Sequence, residues 1–166
     1  MGGKGIFRGA NYVRPVSNVA TRGSSFPFFM HHLIYLSWAT PSFSDDQLQE
    51  LLLEARNHNT QFGITGLLLY GNGCFVQVLE GERDAIHSLY EQIKCDPRHR
   101  DVTTYADKTI AQRAFADWAM AFHRPTPQQF TDLIGYLEPA HVQLDAARLS
   151  LMDMHLLDLL RSFTQP

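Results

Sequence analysis

Three polar side chains stand where their neighbours are apolar: Tyr35 in "HLIYLSWA", Asn59 in "LLLEARNHN" and Gln77 in "GCFVQVLEG". Read with period two, Phe75, Gln77 and Leu79 share one face of an extended run, and Cys74, Val76 and Val78 share the other. Apart from Gln77 the run is apolar on both sides, the pattern of a strand covered on both faces. An amide buried there without a partner costs about 1–3 kcal/mol, so Gln77 needs one. A phenol and two amides are a poor set for hydrolysis, because none is a strong base or nucleophile near neutral pH. They suit a planar heteroaromatic ligand whose edge alternates donors and acceptors. Asn can pair with an adjacent carbonyl and N–H at once, and Gln can link such an edge to a phenol. Tyrosine is also redox-capable.

Other reactive residues have plainer readings. The sequence contains no G-x-S-x-G, H-E-x-x-H, G-x-x-x-x-G-K-[ST] or G-x-G-x-x-G. Its 8 histidines are scattered, and the adjacent His31 and His32 point to opposite sides of a strand, which makes that pair useless as one metal site. No metal is expected. Asp45 and Asp46 read as helix N-terminal charge, "RNHN" at 56–59 as a helix end, and "DPRHR" at 96–100 as a helix-stop turn.

The elements that must position the polar trio follow from periodicity. "HLIYLSWA" is a strand. In "SFSDDQLQELLLEARNHN", Ser44 is a good N-cap and Leu48, Leu51, Leu52 and Ala55 form a helical stripe. "FGITGLLLYGNGCFVQVLEG" is two strands joined at Gly71-Asn72-Gly73. A second helix runs from about Glu82 to Lys94, with Ile86, Leu89, Tyr90 and Ile93 inward. "DVTTYADKTIAQRAFADWAMAFH" reads as two further strands, with Trp118 and Met120 on one face of the last. The order β-α-β-β-α-β-β predicts an α+β fold, a ferredoxin-like sheet with both helices on one face. "TPQQFTDLIGYLE" and "LDAARLSLMDMHLLDLLRSF" predict two C-terminal helices separated by Pro139. The second, apolar nearly all round, is expected on the bare face of the sheet or at a partner surface.

Composition bounds the rest. At 166 residues with 45% hydrophobic and 19% charged side chains, the chain is ordinary globular material. A net charge of -3 gives no electrostatic reason to expect nucleic acid or an anionic membrane. Cys74 and Cys95, without a C-x-x-C, read as reduced thiols of a cytoplasmic protein. Residues 1–29 hold Lys4, Arg8, Arg14 and Arg22 and no acid. They read as a flexible basic leader, with Met30 well placed as an initiator and a targeting role the weaker alternative. The expected organisation is this leader, a core domain over 30–124 and a helical cap or output extension over 125–166.

The pieces "YLSWA", "ARNHNTQFGITGLLLY", "GCFVQVLEGERDAI", "IKCDPRHRDV" and "RAFADWAMAF" resemble, in unbroken order, the successive motifs of BLUF domains, the flavin-based blue-light sensors. The resemblance spans roughly residues 33–123. It implies a noncovalent flavin, FAD with FMN as the alternative, held between the two helices and sandwiched by Leu51 and Ile93. Asn59 would hold its pyrimidine edge, with His58 where many members carry a second Asn. Asp96, Arg98 and His99 would lie near the ribityl chain or the flavin O2 edge. Gln77 would bridge the Tyr35 hydroxyl and the flavin N5/O4 edge. Light would let Tyr35 give an electron and then a proton to the flavin, and their return would leave Gln77 rotated or tautomerised. Trp118 and Met120 would relay that change into the sheet.

The resemblance thus implies a short photoreceptor and not an enzyme, signalling through self-association or a downstream protein. Two alternatives share the architecture. One is a ferredoxin-like interaction module without cofactor, which intact Tyr35, Asn59 and Gln77 argue against. The other is an acylphosphatase-like enzyme, whose anion-cradling loop "WATPSFSDD" with its two acids does not resemble.

Overall fold

A computed structural model describes residues 30–137 and 156–163 of the chain. β1 (Met30–Ala39), α1 (Asp45–Phe62), β2 (Thr65–Gly71), β3 (Cys74–Gly81), α2 (Arg83–Cys95), β4 (His99–Ile110), β5 (Ala121–His123) and α3 (Pro127–Leu137) follow in order. The strands form one sheet in the order β4-β1-β3-β2-β5. β1 is antiparallel to both β3 and β4, β2 is antiparallel to β3, and β5 runs parallel to β2. The expected ferredoxin-like topology is the one observed.

Local chemistry accounts for the boundaries. Ser44 Oγ accepts from Gln47 N at 3.3 Å, while Gln47 Oε1 accepts from Ser44 N at 2.9 Å. This capping box opens α1 with Asp45 and Asp46 in the first turn, where the helix dipole favours them. The helix does not end at "RNHN". It continues to Phe62 and closes at Gly63, whose φ of 62° is left-handed and whose N–H donates to the Asn59 carbonyl. Asn59 therefore sits inside a helix and its side chain is held accordingly. Between β2 and β3, Asn72 and Gly73 have φ of 51° and 73°, the left-handed pair a two-residue hairpin turn demands.

Alternation sorts the strand side chains into two cores. On one face Leu33, Tyr35, Leu68, Tyr70, Phe75 and Leu79 pack against Leu48, Leu51 and Leu52 of α1 and Ile86, Leu89, Tyr90 and Ile93 of α2. On the other, Ile34, Leu36, Leu67, Leu69, Val76 and Val78 pack against Phe130, Leu133 and Leu137 of α3 and Leu156, Leu160 and Phe163. The last three belong to or follow a helical segment at 156–162. The C-terminal helices thus cover the second face as expected, and Pro139 lies outside the described residues.

One expected strand is much shorter than its alternation predicts. Alternation in "RAFADWAMAF" predicts a strand through Trp118 and Met120, yet 111–120 is irregular and β5 begins only at Ala121. The reason lies in what the backbone of this segment bonds to. Ala114 N and Phe115 N each donate to the buried Glu80 carboxylate at 2.9 Å. Trp118 O accepts from Gly66 N at 3.1 Å, Ala119 O from Asn59 Nδ2 at 2.7 Å, and Met120 O from Arg56 Nε at 3.0 Å. Mostly side chains, rather than a ladder, satisfy the segment.

Candidate functional site

Tyr35 on β1 and Gln77 on β3 are directly opposite in the register, with Leu68 of β2 next in line. Adjacent antiparallel strands bring such facing side chains into contact. The Tyr35 hydroxyl donates to Gln77 Oε1. Gln77 Nε2 in turn donates to Met120 Sδ at 3.5 Å, a weak acceptor. Burial pushes the Tyr35 phenol far above its ordinary pKa, with the Tyr90 ring and Asp96 adding to the effect. The phenol is therefore a neutral donor at rest.

Around this pair lies a pocket between α1, α2 and the sheet. Leu51, Ala55 and Asn59, spaced by four on α1, supply one wall, and Leu89 and Ile93 of α2 the facing one. Tyr35, Leu68, Phe75, Gln77 and His99 make up the rest. The His99 ring lies edge-on to Tyr35 at 6.4 Å and bonds through Nδ1 to Ser37 Oγ at 2.7 Å. Burial lowers its pKa to about 4, with Asp96 opposing and Arg98 assisting, so it is neutral at pH 7.

Asn59 carries the clearest mark of an intended ligand. Its Nδ2 is committed to Ala119 O, while its Oδ1 is buried without a hydrogen bond of sound geometry. A buried carbonyl left so costs about 1–3 kcal/mol. An N–H on the edge of a bound heterocycle would remove that cost. Apolar walls from two helices, a lone acceptor on one side and a phenol–amide pair on another suit a flat ring system with a polar edge. A flavin, with an N–H between two carbonyls on its pyrimidine edge, fits this set.

The expected site residues divide into two groups. Tyr35, Leu51, Asn59, Gln77, Ile93 and His99 line the pocket together, and Met120 lies against Gln77. His58, Asp96, Arg98 and Trp118 do not line it. The His58 ring packs against Phe62, tilted by 41° with centroids 4.5 Å apart, and its pKa is lowered by burial despite the Asn59 side chain beside it. Asp96 is buried and takes the Arg98 guanidinium through both oxygens, Oδ2 to Nη2 at 2.9 Å. Arg98 also reaches Glu54 of α1 at 3.8 Å, so this ion pair ties the end of α2 to α1. Trp118 is 42% exposed while Met120 is 2% exposed. They do not share a face, and only the methionine touches the glutamine.

Ala55, Leu68, Phe75, Leu89 and Ser37 were not among the expected site residues. The four-residue spacing from Leu51 to Asn59, and from Leu89 to Ile93, was the signal for Ala55 and Leu89. Arg56 had no signal, because its partner is a backbone carbonyl 64 residues away.

The profile of the family described as BLUF, sensors of blue-light using FAD, matches residues 30–121. The chain is 46% identical over 89 residues to the photoactivated adenylate cyclase subunit beta of Euglena longa, a match over 53% of this chain and 10% of that protein. It is 40% identical over 83 residues to the alpha subunit from Euglena gracilis, over 50% of this chain and 8% of that protein. The aligned region thus spans about a tenth of the length of these relatives. Among solved structures, BlsA in its photo-activated state superposes with a TM-score of 0.61 at 28% identity, over 77% of this chain and 94% of that one. BlrB, described as a BLUF protein in its dark state, gives 0.56 at 29% identity, over 78% and 98%. Klebsiella pneumoniae BlrP1 with FMN and cyclic diGMP gives 0.56 at 31% identity, over 78% and 35%.

Proposed function

Because the chain belongs to the BLUF family, sensors of blue light using FAD, we propose that it is a blue-light receptor whose stored signal is a rearranged hydrogen bond at Gln77. The reading rests chiefly on the Tyr35–Gln77–Met120 chain of contacts at the wall of a pocket. FAD is the cofactor proposed for that pocket, and FMN, present in the BlrP1 structure, is the alternative. Leu51 and Ile93 would hold its ring from the two helices, Asn59 Oδ1 would accept its N–H, and Gln77 would meet its far edge. The bound flavin supplies absorption of blue light and an excited state oxidising enough to draw an electron from a neighbouring phenol.

This chain's residues then do the rest. Tyr35 becomes acidic only when oxidised, so its hydroxyl proton moves with, or just after, the electron, and returns when the electron returns. While the Tyr35 O–H bond is broken, Gln77 Oε1 has no donor, and its amide is free to turn end for end or to tautomerise. Turned, Gln77 offers Nε2 to the Tyr35 oxygen and Oε1 toward Met120 Sδ, which has no proton to give. The contact with Met120 is thereby lost. A net change of about 1 kcal/mol biases a poised element several-fold but does not refold a domain.

Met120 passes the change to the 118–120 segment, whose carbonyls are gripped by Gly66, Asn59 and Arg56. The segment leads directly into β5, which pairs with β2 at the sheet edge. α3 and the 156–162 segment cover the opposite face, and we assign to them the surface that a partner protein or a second copy reads. The matched region is a sensor rather than an enzyme. Among the described residues no helix is long and apolar enough to cross a membrane. Unbridged Cys74 and Cys95 favour a reducing compartment such as the cytoplasm. The test is the visible spectrum of the purified protein before and after blue light. A flavin spectrum that shifts slightly to the red and relaxes in darkness supports the reading, and a colourless or unresponsive protein refutes it.

A further inference from the structure

Outside the pocket, three metal-ligating side chains from three elements converge at the other end of the β1–α2–β4 layer. His31 is the second residue of β1, His87 lies on α2, and Asp107 is on β4. The register pairs His31 with Thr109 and Leu33 with Asp107, so His31 and Asp107 are diagonal neighbours on the helix-facing side of the sheet. Asp107 Oδ1 contacts His31 Nε2, and His87 Nε2 lies 3.0 Å from the same oxygen. The two imidazole rings are 5.4 Å apart, and the ligand atoms of all three residues fall within 4.8 Å of one another. His32 faces the other way and takes no part.

We infer that His31, His87 and Asp107 form a binding site for a divalent transition-metal ion, zinc above all. Two neutral imidazoles and one carboxylate match the borderline character of Zn²⁺, whereas Mg²⁺ and Ca²⁺ prefer all-oxygen shells. Tetrahedral zinc holds its nitrogen and oxygen ligands about 3.3 Å apart, given bonds of about 2.0–2.2 Å. Small rotations of side chains already in contact reach that spacing. Without an ion, both rings must carry their proton on Nε2 to donate to one oxygen. With an ion, the same three atoms present lone pairs to it. Entry is open, since the side chains of His87 and Asp107 are 31% and 39% exposed while that of His31 is 7% exposed. Three protein ligands leave a position for water, and the ion would staple the first half of α2 to the β1–β4 edge. The site is independent of the flavin reading.

The test is calorimetric titration of the untagged, flavin-loaded protein with zinc sulfate, with magnesium and calcium chloride as separate arms. One saturable zinc site per chain is expected, with no comparable response to the hard cations and a melting temperature that rises with zinc. His87→Gln and Asp107→Asn change partly exposed side chains and should leave the fold and flavin spectrum intact. Each should weaken zinc at least about tenfold, the loss already typical of disturbing a group behind a ligand. Absence of a saturable site, magnesium binding as tight as zinc, or unchanged zinc affinity in both variants would overturn the assignment.

Discussion

Gln77 Nε2 points at Met120 Sδ, 3.5 Å away, while its other end takes the Tyr35 hydroxyl. One amide thus has a strong partner at its acceptor end and a weak one at its donor end. A sulfur acceptor is the poorest partner a protein offers an N–H. The resting arrangement is therefore only lightly held on the Met120 side. In the proposed mechanism a change at Tyr35 turns the amide, and the methionine is the first group outside the pocket to feel it.

Replacing Met120 with leucine keeps the volume and removes the acceptor. The stability change should stay under about 1.5 kcal/mol. The light-induced shift should persist, with a dark recovery rate altered several-fold. Trp118→Ala alters a side chain that is 42% exposed. It should change stability by no more than about 0.5 kcal/mol and leave the dark spectrum as it was. Flash-photolysis recovery traces and static spectra check both, and the reverse pattern would put Trp118, not Met120, beside Gln77.

Asn59→Ala removes the acceptor proposed for the flavin N–H and also releases Ala119 O. Loss of one such bond to a bound ligand corresponds to roughly tenfold in affinity. Fluorescence titration of the flavin-free variant with FAD should show at least that weakening. An unchanged affinity would mean that the orphaned Asn59 oxygen does not face the cofactor.

Much of the site was legible before any coordinates. Period two in "GCFVQVLEG" singled out Gln77, stripes of period 3.6 placed Leu51 and Ile93 on facing helices, and Asn72-Gly73 announced the hairpin. These signals are local, so one stretch of chain carries each. The path of 113–120 was not legible, because its alternation imitates a strand while Glu80, Asn59 and Arg56, distant in sequence, take its backbone groups. The placing of Trp118 and Met120 on one strand face failed for that reason. His31, His87 and Asp107 were missed likewise, since only the pairing of β1 with β4 and the packing of α2 bring them together.

Stability should fall as the medium turns acidic, beginning above the range where most carboxylates protonate. Burial lowers the pKa of both His99 and His32 to about 4 from an ordinary 6.5. In the unfolded chain both take up protons near 6.5, so between 6.5 and 4 the unfolded state binds more protons than the folded one. Folding stability is therefore full above 6.5 and declines as pH falls through that window. Urea midpoints at pH 7, 6 and 5 should decrease in order, and His99→Gln should flatten the slope. A flat profile in the parent protein would mean that these rings titrate in the fold as they do in the unfolded chain.

The most direct measurement is the light-minus-dark difference spectrum of the flavin-loaded protein beside Tyr35→Phe and Gln77→Ala. The parent should show a small red shift that reverses in darkness. Both variants should stay yellow and lose the reversible shift, since one lacks the proton donor and the other the amide that turns. A normal, reversible shift in either variant would contradict the claim that the signal is written at the Tyr35–Gln77 bond.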